Sequence, residues 1–175
     1  MAAALSPAYA QGPPAARLEY QIKAAFLYNF ARFVDWPAEK QNEKNQILVG
    51  IYGKDPFGST LEQTLQGKTV GGRPLAIRRL TTLAGVKQCH ILFISSAEKK
   101  NLGLILEVAG EGGVLTVGES AKFAEEGGMV NFAMRDNTVG LEVNVSAAER
   151  AHLTISSKLL RLAKLVGKER TTGRD

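Results

Sequence analysis

The sequence is poor in residues that carry redox, metal or covalent chemistry. Its 175 residues include one cysteine, two histidines and one tryptophan. The lone Cys89 excludes an internal disulfide and any multi-cysteine zinc site. His90 and His152 are isolated from each other, which disfavours a metal site. No apolar run reaches the roughly 18 residues of a membrane-spanning helix, so we expect a soluble domain.

The charge pattern gives little support for a nucleic-acid-binding protein. The net charge is +5 and the pI is near 9.4, but the basic residues are spread along the chain, with only a mild cluster after Lys158. A solvated surface is therefore the favoured interpretation, and no nucleic-acid partner is expected. Hydrophobic residues make up 45% of the chain, enough for one globular core.

The N-terminal segment predicts export. Residues 8–10 read Ala-Tyr-Ala, the small-x-small form that signal peptidase accepts, and Gln11 would be the first mature residue. A flexible Ala/Pro-rich tail is the alternative. We expect a signal-peptide remnant or disordered tail over 1–16, one α/β domain over 17–167 and a flexible tail over 168–175.

Hydrophobic periodicity predicts the order of the elements. A helix over 18–33, with its apolar face on Leu18, Ile22, Ala25, Phe26, Asn29, Phe30 and Phe33, is stopped by Pro37, and 38–46 is predicted as an exposed loop. Four strands are predicted at 47–53, 74–80, 90–95 and 114–118, with helices at 59–66 and 98–109. An antiparallel hairpin over 129–134 and 139–145 and a final helix over 156–166 follow.

This order predicts a single three-layer α/β domain. The sheet is expected to be mostly parallel, with an antiparallel C-terminal hairpin and flanking helices. No internal repeat is present.

No catalytic constellation emerges from the motifs. Adjacent strand residues such as Cys89 and His90 point to opposite faces and cannot act on each other. The glycine-containing segment 50–58 lacks the spacing of a phosphate-binding loop, and a plain helix cap is the better interpretation of Asp55. We expect no catalytic residue, metal site or cofactor, and predict that the protein is not an enzyme.

Two sets of residues remain as candidate binding sites. The first is an aromatic and charged patch for a protein partner: Arg32, Asp35, Trp36, Asp55 and Phe57. The burial of Trp36 as a packing residue is the favoured alternative to a recognition anchor. The second set lies where parallel strands should end, the usual place of a ligand crevice: Lys54, Ser95, Ser96, Glu119 and Ser120.

Six segments resemble the YfiR family in order along the chain. The similarity spans residues 20 to 167 and is carried by FLYNFARFVDWP at 26–37, GKDPFG at 53–58, CHILFIS at 89–95, LTVGE at 115–119, GMVNF at 128–132 and ISSKLL at 155–160.

The resemblance implies a periplasmic signalling regulator. It would bind and repress the periplasmic sensor part of an inner-membrane diguanylate cyclase, and so control cyclic-di-GMP and biofilm formation. An OmpA-like outer-membrane lipoprotein is implied as a second partner, another membrane sensor is an alternative to the cyclase, and a homodimer is left open. The family's namesake has several cysteines in disulfides, and this chain has only Cys89. A periplasmic small-ligand-binding module that feeds a sensor kinase is the alternative function.

Overall fold

The centre of the computed structural model, which describes residues 14–41 and 45–167, is an eight-stranded sheet. The strands of the described residues are β1 (Val34–Asp35), β2 (Ile47–Tyr52), β3 (Thr69–Val70), β4 (Arg73–Leu80), β5 (Ile91–Ile94), β6 (Leu115–Gly118), β7 (Val130–Arg135), β8 (Thr138–Val143), β9 (Thr154–Ile155) and β10 (Ala163–Leu165). The main sheet has the order β10-β8-β7-β6-β5-β2-β4-β3, and β1 pairs with β9 in a separate two-stranded sheet.

The main sheet is mostly parallel, as predicted. Strands β4, β2, β5, β6 and β7 all run the same way. The antiparallel pairs are β3 with β4 and β7 with β8, and β10 then joins β8 in parallel at the outer edge. Asp136 and Asn137 connect β7 to β8 with φ of 48° and 60°, the left-handed geometry of a tight hairpin turn.

Helices cover both faces of the sheet. They are α1 (Pro14–Phe33), α2 (Ala38–Gln41), α3 (Ser59–Leu65), α4 (Leu102–Glu111), α5 (Val145–Arg150) and α6 (Ser157–Leu160), with 3₁₀-helices at Val86–Gln88 and Ser96–Asn101. Alternation along β5 sends Phe93 into the core shared with α1 and α3, and Leu92 into the core beneath α4. The three-layer α/β prediction is confirmed.

The buried face of α1 differs from the predicted one. Leu18 and Ile22 are exposed, and of the predicted face only Phe30 is fully buried. The residues that α1 buries are Lys23, Ala24, Leu27, Phe30 and Ala31. Because α1 is apolar over much of its circumference, periodicity alone fits more than one face.

The predicted final helix over 156–166 is wrong. α6 ends at Leu160, and the chain then extends into β10 beside β8. The spacing of Leu159, Leu160 and Ala163 fits a helix, but the open edge of the sheet supplies backbone partners that periodicity does not reveal.

Two further expectations need correction. The predicted exposed loop 38–46 contains α2, whose Lys40 is buried. α1 ends at Phe33, because Val34 and Asp35 pair with β9, before Pro37 is reached.

The predicted tails fall mainly outside the described residues. Residues 14–16, assigned to the N-terminal tail, belong to α1, whereas 1–13 and 168–175 lie outside the described part of the chain. No helix in the described ranges is long and apolar enough to cross a membrane.

Candidate functional site

The carboxyl ends of β2, β5 and β6 meet at one edge of the sheet. They are followed by the segments that begin at Gly53, Ser95 and Glu119, respectively. In open α/β sheets, ligands bind outside this edge. The N-terminal half of α1 lies against it, since the Tyr20 hydroxyl contacts both Glu119 carboxylate oxygens at 3.2 Å.

A buried lysine fixes α1 to this edge. Lys23 donates to Glu119 Oε2 at 2.8 Å and to Glu19 one turn earlier. Its Nζ also lies 4.8 Å from the centre of the Tyr20 ring, a cation–π distance. A buried ammonium requires such partners because its desolvation is costly.

The sequence analysis missed Glu19, Tyr20 and Lys23. The available signal was a Glu–Lys pair four residues apart on an otherwise apolar helix. Burial, followed by the charges of Glu119 and Glu19, raises the pKa of Tyr20 well above its usual value, so the phenol stays protonated and can donate.

A cleft opens between α1 and the β2–α3 loop. It has a volume of about 450 Å³ and is lined by Ala16, Arg17, Tyr20, Gln21, Asp55, Pro56, Phe57, Gly58, Ser59, Thr60 and Gln63. The ring of Phe57 meets those of Tyr20 and Phe93 edge-on, at centroid distances of 5.4 and 5.0 Å. Tyr20 and Phe57 are the aromatic residues of the cleft lining.

Asp55 organises the β2–α3 loop. One carboxylate oxygen accepts from the backbone N–H of Phe57 at 2.7 Å, and the other accepts from Arg79 Nε at 2.8 Å. Arg79 also pairs with Glu62 at 2.7 Å. The N-cap of α3 is Gly58, so the interpretation of Asp55 as a helix cap is wrong. Asp55 instead holds the loop before α3 through its bonds to Phe57 N–H and Arg79.

The predicted ligand residues share the carboxyl edge but have different environments. Ser95 is buried, and its hydroxyl caps the following 3₁₀-helix by accepting from Ala97 N–H at 3.3 Å. Lys54 and Ser96 are exposed, and Ser120 is half-buried. Glu119 is the predicted ligand residue that contacts α1.

The predicted partner residues fall at opposite edges of the sheet. Arg32 and Asp35 are exposed near the end of α1, whereas Asp55 and Phe57 lie at the carboxyl edge near Tyr20. Twelve residues of helix separate Tyr20 from Arg32, about 18 Å. The two parts therefore do not form one continuous patch.

Both predicted aromatic anchors are buried. Phe57 is 3% exposed and Trp36 is 8% exposed. The Trp36 indole N–H donates to the carbonyl of His90 at 3.0 Å, and its ring meets that imidazole edge-on. Trp36 thus closes the core at the amino edge of the sheet, as its packing interpretation predicts.

His90 lies in a polar cluster at this amino edge. Its Nδ1 accepts from Leu48 N–H at 3.1 Å, and its Nε2 faces Arg73 and the Lys40 carbonyl at 3.1 and 3.3 Å. Burial, together with the Arg73 and Lys40 charges, lowers the pKa of His90 to about 4. The imidazole is therefore neutral at pH 7. Lys40 itself donates to the carbonyls of Lys87 and Gly112.

Cys89 is a packed core residue. Its side chain is buried, and burial raises the pKa of the thiol to about 11. A Cβ added at Gly50 would lie 2.6 Å from the Cys89 sulfur, so this part of β2 requires glycine for close packing. Among the described residues, no group of three or more His, Cys, Asp or Glu side chains could hold a metal ion.

Comparison with protein families gives a match over residues 20–164 to the YfiR/HmsC-like family model. The chain belongs to the YfiR/HmsC-like family. Family membership is the basis of the function proposed below. The YfiR resemblance drawn from the motifs is confirmed. No curated protein matches the chain.

Two solved structures are similar in fold. A conserved domain protein from Vibrio cholerae has a TM-score of 0.52 at 12% identity, over 88% of this chain and 60% of that one. An ABC domain from Streptococcus pneumoniae, solved with L-Trp, has a TM-score of 0.49 at 9% identity, over 70% of this chain and 56% of that one. The chain thus spans about 60% of the length of the Vibrio cholerae protein, and that likeness concerns the fold alone.

Proposed function

We propose that this YfiR/HmsC-like protein binds and represses the periplasmic sensor part of an inner-membrane diguanylate cyclase. The supporting observation is the family match, which covers residues 20–164 and so nearly the whole α/β domain. An OmpA-like outer-membrane lipoprotein would be the second partner, releasing the cyclase when it binds the regulator. Repression would lower cellular cyclic-di-GMP.

The chemistry of the described residues is consistent with action by contact. Cys89 is buried with a raised pKa, His90 is buried and neutral, and Lys23 is paired with carboxylates. Each of these reactive groups is engaged in packing or pairing. None is placed beside a nucleophile–base partner in the described part of the chain.

The exposed residues at the end of α1 are the proposed contact surface. The Arg32 guanidinium lies over the rings of Tyr28 and Phe33, at 5.8 and 5.4 Å, and remains exposed with Asp35. Stacked arginines of this kind are enriched at interface hot spots. The buried Trp36 would support this surface from below.

The test expresses an inner-membrane diguanylate cyclase with and without this protein. The parent protein should lower cyclic-di-GMP and bind the purified sensor part. Arg32→Glu should keep the melting temperature nearly unchanged, because surface substitutions usually change stability by less than about 0.5 kcal/mol, yet relieve repression.

Lys100→Glu is the matched control, since Lys100 is exposed in the 3₁₀-helix Ser96–Asn101, away from α1. It should repress like the parent protein. A parent protein that neither binds the sensor nor lowers cyclic-di-GMP would refute the function. A fully active Arg32→Glu variant would refute only the surface.

The cleft beside Tyr20 favours a second candidate, a periplasmic small-ligand-binding module. Its volume of about 450 Å³ suits a small metabolite, and polar side chains of α1 and α3 are part of its lining. A metabolite that raises the melting temperature of the parent protein, but not of Gln21→Trp, which fills the cleft, would support this function.

A further inference from the structure

The positive charge of the chain is concentrated near its C-terminal end. Between residues 150 and 170 the sequence contains six lysines and arginines and one acidic residue, a net charge of +5. This equals the net charge of the whole chain, because the remaining residues contain 16 basic and 16 acidic side chains. The cluster after Lys158 noted in the sequence is part of this segment.

The structure places part of this charge beside exposed leucines. Leu162 and Leu165 are 68% and 59% exposed, the highest values among the large apolar side chains of the described residues. The exposed cations Lys158, Arg161 and Lys164 are their neighbours in sequence: Lys158 lies on α6 and Arg161 at its C-terminal end. Lys164 lies on the edge strand β10 and points to the face opposite Leu165, so the edge itself, and not one face of the sheet, carries these side chains. We call these five residues the basic edge.

We propose that the basic edge binds a membrane surface rich in anionic phospholipid. Lysine and arginine side chains would contact the phosphate headgroups, and the two leucines would enter the boundary with the acyl chains. The proposal goes beyond the proposed function and does not depend on it. Lipid contact would hold the regulator at a membrane whether or not its partner is a cyclase.

Several features favour lipid over a protein occupant. The leucines are exposed on and next to the edge strand β10, whereas the cleft beside Tyr20 is lined by other residues. The basic edge contains no aromatic side chain, the usual anchor of a protein hot spot. A second copy paired antiparallel at the middle of β10 would place Lys164 opposite Lys164, which is repulsive.

The neighbouring acidic residue does not remove this charge. Glu142 lies opposite Lys164 in the register of β8 and β10, and it keeps its negative charge while it accepts a hydrogen bond from Asn131 Nδ2 at 3.0 Å, so it offsets at most the charge of Lys164. Lys158 and Arg161 lie outside the strand register altogether.

Vesicle co-sedimentation of the full chain tests the proposal. Protein should sediment with vesicles of phosphatidylcholine and phosphatidylglycerol at low salt, but not with phosphatidylcholine alone. The triple variant Lys158→Gln, Arg161→Gln, Lys164→Gln should bind about a hundredfold more weakly, since each cation near an anionic surface contributes about a fivefold factor. At high salt, where the charge attraction is screened, any remaining binding should come from the leucines. The double variant Leu162→Ser, Leu165→Ser should weaken this remaining binding.

The matched control removes three exposed cations elsewhere: Lys99→Gln, Lys100→Gln and Lys122→Gln. It should bind nearly as the parent protein does. Equal losses in the control, or no binding of the parent to anionic vesicles, would overturn the proposal. It would also be overturned if the parent protein did not bind vesicles and the triple variant lost self-association or binding to a purified sensor, since the basic edge would then be a protein interface. Circular dichroism would establish that every variant is folded.

Discussion

The indole N–H of Trp36 donates a 3.0 Å hydrogen bond to the backbone carbonyl of His90, the residue that precedes β5. Trp36→Phe keeps most of the apolar ring but removes this donor, so the buried carbonyl keeps only the backbone N–H of Leu115, at 2.9 Å. We expect a loss of about 1–2 kcal/mol in the free energy of unfolding, and about 3–5 kcal/mol for Trp36→Ala. Urea unfolding followed by circular dichroism measures both. Equal stabilities of Trp36→Phe and the parent protein would contradict a role for this bond.

The neutral state of His90 predicts lower stability in acid. Its pKa is lowered to about 4 in the folded protein, against an ordinary value of about 6.5 in the unfolded chain. The unfolded state therefore binds the proton first, so the His90 contribution is present above pH 6.5 and is lost as the pH falls toward 4. Over this window we expect it to remove up to about 3 kcal/mol.

Histidine replacement separates this effect from the titration of carboxylates. In urea unfolding between pH 7 and 4.5, His90→Gln should start less stable than the parent protein but show a shallower dependence on pH. His152→Asn is the control, because His152 is exposed at φ 62°, a conformation that asparagine tolerates. A parallel pH dependence of His90→Gln and the parent protein would refute the assignment.

The thiol of Cys89 should be inert in the folded protein. It is buried and has a pKa of about 11, so little thiolate forms at pH 8. We expect negligible reaction with a disulfide reagent in buffer and stoichiometric reaction in denaturant. Cys89→Ser should cost about 1–2 kcal/mol by burying a hydroxyl in an apolar site. Rapid labelling of the native protein would disprove the packed arrangement.

Replacing Lys23 should lower the free energy of unfolding more than replacing its partner Glu119 does. Lys23→Met leaves the carboxylates of Glu19 and Glu119 without their shared cation, and we expect a cost of about 3 kcal/mol. Glu119→Gln leaves Lys23 paired with Glu19 and should cost about 1 kcal/mol. Adding Glu119→Gln to Lys23→Met should recover part of the loss. Chemical denaturation of the four proteins measures this cycle, and equal effects of the single changes would contradict the geometry.

The sequence predicted well those elements whose residue pattern fits only one type of secondary structure. β2 and β5 are apolar throughout because both of their faces are covered, and the polar turn at Asp136 and Asn137 permits a hairpin. β10 was missed because the apolar spacing of 156–166 also fits a helix. Only the free edge of β8 decides between the two structures.

The candidate site was predicted less completely than the fold. Glu119 was placed at the correct edge of the sheet because parallel strands end together. Its partners Tyr20 and Lys23 lie 99 and 96 positions away in sequence, so no local pattern joins them. The burial of Phe57 likewise depends on Tyr20 and Phe93, which approach it from different elements.

The pairing of β1 with β9 constrains the order in which the chain can fold. Val34 lies opposite Ile155, 121 positions later in the chain, so this ladder cannot form until Ile155 has been synthesised. Contacts of such long separation carry a high loop-closure entropy and are slow to form. The residues after α1 therefore lack their strand partner at a stage when the parallel strands β2, β4, β5 and β6, which lie between β1 and β9 in sequence, can already pair. A chain truncated before Thr154 would leave the Val34–Asp35 backbone without this strand partner, at the end of the helix that covers the sheet.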